Sequence, residues 1–150
     1  MKPSEICREL LAQHEQIRKM TEIIQRIADS ARKRGDGQGD LHGCILRLDE
    51  AVRAHNAREE ELLRELVRSS DGWGDARLAI MDEEHVKAHD RLQAAIRGVP
   101  TLSPGIAGVG VVAMVRLLRE HMDREEAVFL NAEVLNDDVV ARVEIEQSDG

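Results

Sequence analysis

Five of the six histidines in this chain stand in a spaced pattern with two glutamates: His14, then His55-x3-Glu59, His85-x3-His89 and His121-x3-Glu125. All seven fall where helical periodicity otherwise places apolar side chains. A buried carboxylate without a partner costs several kcal/mol, while a whole domain keeps only about 5–15 kcal/mol of net stability. A bound cation removes that cost. Seven donors exceed what one tetrahedral zinc can use. Five imidazoles and two carboxylates, with no thiolate, suit two first-row ions such as iron or manganese. The glutamates would bridge the pair and the imidazoles would fill terminal positions. Two divalent ions bring more positive charge than two carboxylates offset, which calls for a bridging oxide or hydroxide, or an exogenous anion.

Four helices are needed to carry these groups. Ile6, Leu10, Ile17, Met20, Ile24 and Ile27 recur at three- and four-residue spacing and predict a first helix over about 4–33. The glycine-rich stretch 35–40 breaks it, with Asp40 placed to cap the next helix. Ile45, Leu48, Val52, Leu62 and Leu66 mark that second helix over about 41–68. Leu78, Met81, Leu92 and Ile96 mark a third over about 75–97, stopped by Gly98-Val99-Pro100. Ser103-Pro104 offers a capping hydroxyl and a first-turn proline. Val111, Met114, Leu118 and Val128 then carry a fourth helix to about 132. Val139, Val140, Val143 and Ile145 could add a short fifth helix before a frayed end. No alternating strand pattern appears. The expected fold is all-α, an antiparallel up-and-down four-helix bundle. It forms a single domain over 1–150, with a core of about 4–133 and a C-terminal extension over 134–150.

Residues four apart on a helix stand one above the other, so each His/Glu or His/His pair points the same way. At about 1.5 Å per residue, the five imidazoles fall in one slab roughly 15–21 Å from the end where the first helix begins. His55-Asn-Ala-Arg-Glu59-Glu60 also echoes His121-Met-Asp-Arg-Glu125-Glu126, and a weaker echo joins His14-Glu15-Gln16-Ile17 to His89-Asp90-Arg91-Leu92. Such repetition suggests pseudo-twofold symmetry, which a binuclear centre with two carboxylate bridges would suit. His42 lies off this level and reads as a surface residue.

Other chemistry finds little support. His85-x3-His89 lacks the glutamate after the first histidine that zinc proteases use as a base. Gly105, Gly108 and Gly110 are followed by no Lys-Ser or Lys-Thr and read as places of close helix contact. The formal net charge of −8 argues against nucleic acid and anionic membranes. One Trp, one Phe and no Tyr leave no platform for stacking bases. Cys7 and Cys44 form no C-x-x-C pair and read as packed thiols. With no export signal at the start and no apolar run long enough to span a bilayer, the expected location is cytoplasmic.

From about Ser4 to Glu133 the chain resembles a hemerythrin-like domain of the His-His-Glu cation-binding group. The ordered set His14, His55, Glu59, His85, His89, His121 and Glu125 is similar to that family's metal-ligand set. The resemblance implies a non-haem di-iron site, oxo- or hydroxo-bridged, with iron ahead of manganese or zinc. Oxygen-carrying members end with an aspartate five residues after the last histidine. Position 126 is Glu here, and Glu125 is the better match to the seam, since Glu126 is rotated by about 100°. The function implied is binding, storing or sensing dioxygen or a related small ligand. Reductive handling of peroxide or nitric oxide, and iron sensing or donation, are the alternatives. A metal-free interaction bundle is a third class.

Overall fold

The computed structural model describes residues 1–138. Four long helices succeed one another: α1 (Pro3–Arg34), α2 (Gln38–Arg68), α3 (Gly74–Gly98) and α4 (Pro104–Val128). α1 and α3 each pack against both α2 and α4, which makes a four-sided bundle of alternating direction. None of these helices is long and apolar enough to cross a membrane. The fifth helix expected near 139–145 lies outside the described residues.

Local chemistry sets the helix ends. Pro3 opens α1, where a missing N–H is no loss, and the Glu5 carboxylate accepts the Lys2 backbone N–H at 2.7 Å. Gly35 closes the helix in the left-handed region (φ 73°), donating its N–H to the Ala31 carbonyl. α2 starts earlier than its apolar pattern indicates. Gly37 is its N-cap (φ 89°), so Asp40 lies inside the first turn rather than capping it. The Gln38 side chain donates to the Val99 and Leu102 carbonyls, tying this start to the α3–α4 connection. Ser103 adopts the extended N-cap backbone of α4, but its hydroxyl makes no capping bond. α4 also stops short of residue 132. The Asn131 amide donates to the Glu126 and Ala127 carbonyls, satisfying acceptors that a further turn would use.

Two apolar plugs fill the bundle. One gathers Ile17, Ile24, Ile45, Val52, Leu92, Val111 and Leu118. The other gathers Ile6, Leu10, Leu63, Met81, Phe129 and Leu130. Between Leu10 and Ile17, and between Val52 and Leu63, the buried side chains are polar: His14, His55 and Glu59. α4 interrupts its apolar stripe with His121 and Glu125 at the same level. Of the three α4 glycines, Gly108 alone is a close contact; a Cβ there would stand 2.7 Å from the Ala28 carbonyl oxygen. Gly105 and Gly110 face open space.

Candidate metal centre

Glu59 and Glu125 stand at the centre of the polar slab, each wholly buried, with four imidazoles turned toward them. His14 Nε2 lies 3.3 Å from Glu125 Oε1 and 3.7 Å from Glu59 Oε1. His85 Nε2 lies 2.8 Å from Glu59 Oε2 and 3.4 Å from Glu125 Oε2. His55 Nε2 contacts the Glu59 carboxylate one turn on, and His121 Nε2 lies 3.0 Å from Glu125 Oε1. Glu59 thus offers one oxygen to His14 and His55 and the other to His85. The imidazoles form two pairs, His14 with His55 (ring centroids 4.6 Å apart) and His85 with His121 (6.4 Å).

These groups are close but poorly satisfied. His14 Nε2, His55 Nε2, Glu59 Oε1 and both Glu125 oxygens are buried without a hydrogen bond of good geometry, although oppositely charged atoms are near. Buried polar atoms are normally paired. One ligand atom each from His14, His55, Glu59 and Glu125 lies within 4.8 Å of the others, the spacing of donors around a single ion. The donor set, its convergence and its orphaned atoms all fit a cation.

Every imidazole also has an outer partner on Nδ1. His14 Nδ1 is 3.2 Å from Glu126, His55 Nδ1 2.7 Å from Gln13 Oε1, His85 Nδ1 3.6 Å from Glu60 and His121 Nδ1 3.0 Å from Glu84. A hydrogen-bond partner on Nδ1, which His14, His55 and His121 have, fixes the ring and turns Nε2 toward a metal, while Glu60 acts on His85 through charge at longer range. Arginines hold the outer carboxylates in turn: Arg18 on Glu126, Arg64 on Glu60 and Arg124 on Glu84.

The structure brings together His14, His55, Glu59, His85, His121 and Glu125. It does not bring in His89, which is exposed. The expectation of an inner position for His89 is corrected by the phase of α3, whose buried stripe runs through Leu78, Met81, Ala88 and Leu92. His85 is only half-buried, toward the edge of this stripe, and the further turn of about 40° in a four-residue step carries residue 89 off it. The symmetry partner of His14 is therefore His85, not His89. Glu126 belongs to the outer ring, and Glu125 alone of the two reaches Nε2 atoms. His42 is half-buried on the first turns of α2, outside the cluster. Sequence reasoning missed Gln13, Glu60, Glu84 and Glu126 as outer partners. The doubled glutamates of the His-x-x-Arg-Glu-Glu echo were the signal for two of them.

Burial opposes charge on His14 more than any other single influence, yet hydrogen bonding and attraction from Glu125 and Glu59 together raise its pKa from 6.5 to about 9. The same balance raises His85 to about 10. Burial would lift Glu59 and Glu125, but the imidazoles hold Glu59 below its ordinary 4.5 and Glu125 well below it. Raised histidines stabilise the metal-free fold fully below 6.5, and that contribution is lost as pH rises through about 9 to 10. Lowered carboxylates contribute fully above 4.5 and less as pH falls. Urea midpoints of metal-free protein should therefore peak between pH 4.5 and 6.5 and decline toward pH 10. Metal stabilisation should grow over the same upper range, because metal and proton compete for Nε2. A flat metal-free profile from neutrality to pH 10 would contradict this coupling.

A family model, the hemerythrin HHE cation-binding domain, matches residues 6–132. The chain belongs to this hemerythrin-like family. No curated protein and no solved structure gives a significant match.

Proposed function

We propose that the cluster holds two non-haem iron ions and that the protein binds, stores or senses dioxygen or a related small ligand there. The observation that carries this reading is the convergence of four Nε2 atoms on two buried glutamates, with each Nδ1 facing an outer partner. His14 and His55 would serve one ion, His85 and His121 the other, with Glu59 and Glu125 between them. Two imidazoles and two carboxylate oxygens give each ion about four donors, fewer than the six an octahedral iron takes. Positions left open by these residues would be free for a small ligand, and ferrous iron would supply the electrons for its binding.

One feature favours a second reading, reductive handling of peroxide or nitric oxide, or iron donation. A cavity of about 110 Å³ between α3 and α4 reaches His121; Glu84, Lys87, Arg91, Glu120 and Arg124 line one part of it and apolar residues, Leu92, Met114 and Leu118 among them, the rest. The charged part brings water and protons near the centre, which suits turnover or metal release more than a long-lived adduct.

Metal analysis of anaerobically reconstituted protein separates these outcomes. Two irons per chain are expected for the wild type and for His89→Ala, with loss in His85→Ala. An optical change on adding oxygen that reverses under vacuum supports ligand binding. Irreversible oxidation with peroxide turnover supports the enzyme, and rapid loss to a mild chelator supports donation. Protein without metal after reconstitution would overturn the proposal.

A further inference from the structure

The outer ring departs from the twofold pattern at one position. Gln13-His14 on α1 corresponds to Glu84-His85 on α3. In each case the residue before the histidine reaches the Nδ1 of the next helix's histidine: Gln13 to His55 and Glu84 to His121. The second pair of outer partners, Glu126 and Glu60, are both carboxylates already engaged by arginine, so they distinguish the halves less.

We propose that Glu84 is a positioning residue that makes the two halves unequal toward metal, so that the His85/His121 half takes the first ferrous ion and the His14/His55 half the second. A carboxylate only accepts. It therefore requires Nδ1–H on His121, so that Nε2 is the nitrogen that gives up its proton and turns its lone pair to a metal. An amide can accept or donate, so Gln13 tolerates either tautomer of His55. A negative partner also strengthens the imidazole as a ligand more than a neutral one does. Glu84 is 3% exposed, where such an interaction is least screened. Its other oxygen is held by Arg124, so the carboxylate stays on the outer side of the ring. The surroundings differ at two further places: Lys87 and Glu120 flank Glu84 where Gln16 and Ala54 line the matching groove beside Gln13, while Arg124 and Arg58 correspond.

This inference rests on the dinuclear reading. The experiment is an anaerobic titration of the apoprotein with ferrous ion against a competing chelator, resolving two stepwise constants. Wild type should show steps separated by about 10–100-fold, the range expected for an outer partner. Glu84→Gln should weaken the tighter step and close the gap. Gln13→Glu should strengthen the weaker step and close it from the other side. The doubly exchanged protein should restore the separation. A purely structural role would lower the apoprotein melt and weaken both steps alike, and that result overturns the inference. Two ions bound with no separation, or a gap unmoved by Glu84→Gln, overturn it while leaving the dinuclear reading intact. A single ion per chain overturns the dinuclear reading, and this inference with it.

Discussion

Changing Glu125 to alanine is expected to empty the centre, leaving less than one iron per chain after reconstitution. Glu125 is wholly buried and faces three imidazoles, His121 at 3.0 Å, His14 at 3.3 Å and His85 at 3.4 Å. Among the described residues, no other side chain except Glu59 spans both histidine pairs. Removing Glu125 also takes away one of the two charges that favour protonated His14 and His85 and leaves only Glu59, so attraction within the metal-free slab weakens as metal binding is lost. Ligand present at 100 times its dissociation constant stabilises a fold by about 2.7 kcal/mol. The wild type should gain a shift of that order from saturating metal, and Glu125→Ala should gain none. Glu126→Ala provides the contrast. Among the imidazole nitrogens Glu126 meets only the outer one of His14, so its loss should weaken metal by about 10–100-fold and preserve the stoichiometry. Elemental analysis and melting with and without metal read both results. Two ions retained in Glu125→Ala and lost in Glu126→Ala would reverse the assignment of the bridge.

Much of this arrangement was legible because a helix repeats. The seams through 45–66 and 111–128 contained only one pair of polar interruptions each, and the structure buries His55, Glu59, His121 and Glu125. α3 was harder to read. Leu78, Met81 and Leu92 are compatible with a stripe passing through either 88 or 89, and a small Ala88 marks its buried face weakly. Glu84 is buried because Arg124 and His121 cover it from α4, a relation between helices that no spacing within α3 encodes. The outer carboxylates share this difficulty, since in a chain with 33% charged residues a functional glutamate resembles a solvated one. The start of α2 and the finish of α4 were misplaced for a related reason, whereas the ends of α1 and α3 fall within a residue of their expected places. Gln38 bonds to carbonyls of the α3–α4 connection and Asn131 to carbonyls of the last turn of α4, and apolar periodicity is blind to side-chain bonds of either kind.

Phe129→Ala is expected to cost about 3–5 kcal/mol in the metal-free protein, because deleting a buried phenyl ring loses its transfer energy and leaves a cavity. That is a third or more of the stability of many domains. Phe129 is fully buried in the plug with Ile6, Leu10, Leu63 and Met81. It also ends α4, donating its N–H to the Glu125 carbonyl at 3.0 Å, while Leu130 donates to the same oxygen at 2.8 Å. The backbone that aims Glu125 at the imidazoles is thus fastened by the turn whose ring seals the bundle below. Leu10 and His14 stand one turn apart on α1, so a cavity at Phe129 opens on the same side of the centre. Phe129→Ala should therefore release iron to a chelator faster than wild type as well as unfolding at lower urea, whereas Phe129→Leu should retain most of both properties. A stability loss under about 1 kcal/mol would mean that the plug collapses around the vacancy. A full stability loss with unchanged iron release would instead place the barrier to metal exit at the α3–α4 cavity beside His121.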